Sequence, residues 1–138
     1  MGRIIETVLY YSPENGRQGR YVTLMKGVLV RMGVRIKNIS REQVLENVGF
    51  LAGIPGFEAR EGASGEEVPE IPEQVLVMKN FSGRRIDELL LGLRKAGVPK
   101  INLKAVVTEQ NAGWSFYHLY EELKSEHEAM TAGEEDVK

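Results

Sequence analysis

Between Gln74 and Met130 the apolar positions switch between two rhythms, and each switch marks an element. Val75 to Met78 is a short apolar run of strand formers, too short for a helix. Ser82 predicts a helix start, because its hydroxyl can accept from an otherwise unpaired amide of the first turn. Ile86, Leu89, Leu90, Leu93 and Ala96 then share one helical face, and Leu91 widens the stripe. Gly97 supplies the left-handed residue past the helix end, and Pro99 prevents continuation. Period two follows: Ile101, Leu103, Ala105 and Val107 point one way, Asn102 and Lys104 the other. A last helix opens at Ser115, with Trp114 and Leu119 at the spacing of a hydrophobic staple. Phe116, Leu119, Tyr120 and Leu123 are its buried stripe, and Glu121, Glu122, Glu126 and Glu128 its outer face.

The first part of the chain repeats this rhythm. Thr7 to Tyr11 reads as a strand, and the turn residues of Ser12 to Arg20 as a loop. A helix follows with Tyr21, Leu24, Met25, Val28 and Met32 inside, ended by Gly33. Val34 to Ile39 is a second strand. Ser40, with Gln43 in capping-box position, opens a helix carrying Val44, Leu45, Val48 and Leu51 and ending at Gly53. The pattern is a strand–helix–strand–helix unit used twice, residues 1–52 and 74–130, and is read as a degenerate internal repeat. Alternating strands and helices predict an α/β domain over 1–130, with a four-stranded, mainly parallel sheet of order 2-1-3-4 and helices on both faces.

Charge divides the chain. Residues 53–73 hold six Glu and one Arg among Gly and Pro, and read as an acidic, flexible linker. Residues 131–138 read as a disordered acidic tail. Net charge is −2, so the remainder carries an excess of +5, concentrated in residues 1–52 with eight Lys or Arg against four Glu. There is no Cys, which excludes thiolate catalysis, disulfides and thiolate metal sites. No apolar run is long enough to span a bilayer, and no signal-peptide layout is present, so the expectation is a cytoplasmic protein without membrane partners.

In a parallel 2-1-3-4 sheet a ligand would sit beyond the carboxyl ends of the first and third strands, where the strand order reverses. The loops there contain Arg17, Arg20, Asn80, Ser82, Arg84 and Arg85. Arginines at helix starts oppose the helix dipole, and an anion held between them would remove that conflict. These residues, with Asn111 from the loop before Trp114, form the predicted anion site. The plainer reading is that the arginines are solvated and that Thr108, Asn111 and Trp114 serve as turn, cap and staple. His118 and His127 are the two histidines; nine helical residues put them on opposite faces, so they do not share a metal. His118 is spaced to pair with Glu122. No catalytic constellation, metal set or cofactor fingerprint is present, and Tyr10–Tyr11 read as core or as a base-stacking pair.

Lys95-Ala-Gly-Val-Pro99, Leu103 to Thr108, Asn111, Trp114 and the acidic run Glu121 to Met130 resemble a bacterial family, the domain of unknown function DUF3783, over residues 74–130. His118 departs from the acidic residue that the family is expected to carry there. The resemblance implies a lineage and no activity. The sequence therefore favours a small, non-catalytic α/β module binding an anionic ligand or a partner protein. A nucleic-acid-associated protein is the alternative, and an enzyme of unfamiliar type the third.

Overall fold

The computed structural model describes residues 5–13, 18–58 and 69–136, with the side chains of all of these except 18–20 and 131–136. The order of elements is β1 (Thr7–Tyr11), α1 (Gln18–Met32), β2 (Arg35–Asn38), α2 (Val48–Leu51), β3 (Val75–Lys79), α3 (Gly83–Lys95), β4 (Leu103–Val106) and α4 (Phe116–Asp136). Short 3-10 turns at Arg41–Gln43 and Asn111–Gly113 precede α2 and α4. The strand order is β2-β1-β3-β4, as predicted.

The strand directions correct the expectation. β1–β2 and β3–β4 are parallel, but the central β1–β3 pair is antiparallel, so the sheet is mixed and not mainly parallel. The cause lies in the long connection. Ala52 is tied to one end of the sheet, where its carbonyl accepts from the Lys79 ammonium at 3.0 Å. Ile71 is tied to the other end, where its carbonyl accepts from the Tyr11 hydroxyl at 3.0 Å. The connection therefore leaves one end of the sheet and re-enters at the other, so β3 runs opposite to β1. Ile71, inside the stretch expected as linker, is fully buried; residues 59–68 lie outside the described residues.

Each face of the sheet buries one core. Val8, Tyr10, Leu76 and Met78 meet α1 and α3 through Met25, Val28, Leu29, Leu89 and Leu93. Leu9, Tyr11, Val75, Val77 and Leu103 meet the other layer through Val44, Val48, Leu51, Ile71, Phe116 and Leu119. Ser82 caps α3 as predicted, its hydroxyl accepting from Arg85 N at 3.2 Å. Ser115 caps α4, accepting from His118 N at 3.0 Å. The single helix predicted after Ser40 is instead a 3-10 turn and the short α2. The chain between them is diverted because Asn47 forms a strand-like bridge with Ser115. α4 continues to Asp136, past the start of the predicted tail. Among the described residues no helix is long and apolar enough to cross a membrane.

Candidate functional site

The antiparallel β1–β3 pair sets Tyr11 beside Val75 and Thr7 beside Lys79. The loops after β1 and β3 therefore lie at opposite ends of the sheet, and the crevice expected between them is not formed. Arg17 lies outside the described residues; Arg20 falls in the first turn of α1, with its side chain outside them. Arg84 is exposed, 3.7 Å from Glu88. Arg85 has an internal role. Its Nε and Nη2 grip the Glu6 carboxylate at 2.7–3.1 Å, Nη1 reaches Glu88 at 2.9 Å, and Nη2 also donates to the Met32 carbonyl at 2.7 Å. Glu6 is thus the anion that Arg85 faces, and it pushes the guanidinium pKa up. The start of α3 also meets the end of α1, where a cation is favoured.

The polar members of the predicted site are equally occupied. Asn80 adopts a left-handed φ of 67°, and its amide donates to the Ile5 carbonyl at 2.9 Å. Asn111 is buried; Oδ1 accepts from Thr108 N at 2.8 Å and Nδ2 donates to the Val106 carbonyl at 2.9 Å. Trp114 stacks on His118, with centroids 4.5 Å apart and planes 3° from parallel, and His118 Nε2 lies 3.4 Å from Glu122. Tyr10 and Tyr11 are buried, leaving no face for a nucleobase. Among the described residues no three His, Asp or Glu side chains gather as metal ligands.

A different cluster forms where α3 hands over to β4. A cleft of about 440 Å³ is lined by Leu76, Leu90, Leu93, Val98 and Ile101, with Pro99 and the cations Arg94, Lys100 and Lys104 at its rim. Ligand pockets commonly begin at ~300 Å³, so the space suits a small molecule. No acidic residue lines it, and among the described residues none of the three cations is in an ion pair. Arg94 and Lys100 are exposed. Lys104 is half-buried: its stem lies over the core face shared with Leu76, and its ammonium donates one hydrogen bond to the Ile101 carbonyl at 2.5 Å. Burial pushes its pKa down, and the charge of Lys100 adds to the effect.

Residues 74–130 match the family model of a domain of unknown function, DUF3783. No curated protein and no solved structure was found to match the chain. Every residue lining the cleft lies within the DUF3783 segment. Sequence reasoning missed this cluster, although a signal was present. Alternation places Lys104 on the polar face of its strand, but a sheet covered by helices on both faces offers no fully wet side.

Proposed function

We propose that the protein is a small binding module whose ligand is an amphipathic anion, held by its apolar part in the α3–β4 cleft and by its charged head among Arg94, Lys100 and Lys104. The observation that carries this reading is the pairing of an apolar floor with three cations and no lining acid. Buried polar groups are normally satisfied, and charges brought near an apolar surface are normally paired. Lys104 keeps its ammonium half-buried with a single carbonyl partner, so an anion would supply what the protein does not. The apolar floor favours an acyl or similar hydrocarbon body over a bare inorganic anion.

Titration of the full chain by calorimetry and by thermal melting, below any micelle threshold, tests the reading. Decanoate should bind one saturable site and raise the melting temperature by mass action. Decyl phosphate should do the same if the head is recognised by charge alone, and a preference between the two identifies the head group. Arg94→Ala and Lys100→Ala should each weaken binding by ~2- to 5-fold, the range of an exposed ion pair. Equal binding of decyltrimethylammonium, or no saturable binding of either anion, would overturn the reading.

A further inference from the structure

The strands of the two halves, and the helices that follow them at the ends of the halves, can be laid on each other with one offset. β1 and β3 begin at Thr7 and Val75, β2 and β4 at Arg35 and Leu103, and α2 and α4 at Val48 and Phe116, each pair 68 positions apart. Register agrees: Thr7 pairs with Arg35 and Val75 with Leu103, 28 positions apart in both halves. Leu9 lies opposite Val77 in the central pair, so each residue faces its own counterpart. Asn47 bridges Ser115, again its own counterpart. The two hydrogen bonds of that bridge, Val48 N to the Trp114 carbonyl and Phe116 N to the Glu46 carbonyl, are images of each other at 2.9 Å. α1 and α3 close alike: Gly33 and Gly97 are left-handed, Val34 N reaches back to the Leu29 carbonyl, and Val98 N to the Leu93 carbonyl. These self-matched pairs are what a twofold axis through Leu9–Val77 and Asn47–Ser115 would produce.

The cleft is where that symmetry breaks. From Gly33 to the start of β2 at Arg35 is two positions, but from Gly97 to the start of β4 at Leu103 is six. The longer connection contributes Pro99, Lys100 and Ile101 to the lining. Lys104 pairs with Leu76 as Ile36 pairs with Val8, so the place of the half-buried lysine is taken in the other half by isoleucine. The architecture thus contains its own control: this position accepts an apolar side chain, and a lysine there is not demanded by packing.

We infer that the chain is two fused copies of one unit, and that the extended α3–β4 connection and Lys104 are the departures that turn one of two equivalent helix–strand corners into a site for an anion-headed ligand, with Lys104 selecting the charged head. The inference rests on the binding function proposed above. Its test uses the full chain carrying Lys104→Ile, the side chain of the other half, and compares decanoate with the neutral decanol. Parent protein should prefer decanoate by about tenfold or more, the effect of one charge-assisted contact in a half-buried site. The variant should lose that preference, keep its affinity for decanol, and melt no lower than the parent when free of ligand. A variant that still prefers decanoate to the same degree overturns the role of Lys104 and leaves the cleft as the binding site. A variant that melts several degrees lower overturns the equivalence of the two corners. Parent protein that binds neither compound overturns the binding function, and the role of Lys104 with it.

Discussion

Asn111 shows how a residue can look available in sequence and be occupied in the fold. Both ends of its amide close the turn after β4, on Thr108 N and the Val106 carbonyl, and its own N–H donates to the Thr108 hydroxyl at 3.1 Å. Asn111→Ala would strip the part-buried Thr108 N–H and Val106 carbonyl of their side-chain partner, a loss of ~1–3 kcal/mol in all. The expected outcome is a loss of that order in urea denaturation with an unchanged slope, and no change in decanoate affinity. Arg85 carries the same lesson. Viewed from α3 alone, Arg85 is a cation at the wrong end of a helix. Glu6 and the carbonyl end of α1 reach it only through tertiary packing.

At the scale of elements, two glycines test the packing of α1 against α3. Gly27 stands in the interior of α1, and a methyl group there would meet nothing within 4 Å. Gly27→Ala should raise stability by ~0.5–1 kcal/mol, because alanine loses less backbone freedom on entering a helix. A methyl group at Gly92 would stand 2.9 Å from Val28 Cγ1, so the same substitution in α3 should gain nothing or destabilise. Equilibrium unfolding of the two variants side by side decides this. The elements themselves were largely legible, since Ser82, Ser115, Gly33 and Gly97 mark helix ends by local chemistry. Strand order was legible too, because each half is a compact strand–helix–strand unit. Strand direction was not: apolar alternation is the same read either way along a strand, and the reversal depends on where the 53–73 connection ends. The cleft was hidden for a related reason, since its residues come together only when α3 and β4 pack at one corner.

For the whole molecule the charge at Lys104 sets a pH dependence. Arg94 and Lys100 share its cleft, and Glu126 and His127 of α4 line the hollow on the other side of Lys100 and Lys104. Its folded pKa is depressed, so between the folded and unfolded values the unfolded chain binds more protons and stability rises with pH. Below that window the penalty is constant. Burial raises the pKa of Tyr10 and of Tyr120, which makes stability fall above the free tyrosine pKa. The difference between parent and Lys104→Met isolates the lysine. The variant should be the more stable at neutral pH, and its advantage should shrink as pH climbs toward the free lysine pKa. An advantage that stays constant through the alkaline range would show that the ammonium carries no penalty.

The place of β1 inside the sheet also bears on synthesis. Of the four strands β1 is made first, yet it ends between two neighbours. Its partner β2 begins at Arg35, while β3 begins only at Val75. At ~5–20 residues per second, the β3 side of β1 stays open for some seconds on the ribosome. That edge is Thr7 to Tyr11, whose Val8, Leu9, Tyr10 and Tyr11 are all buried in the finished protein. An unpaired apolar edge is a template for another chain. On a crowded message, the hazard specific to this topology is β1 pairing with β1 of the next nascent copy before its own β3 has emerged.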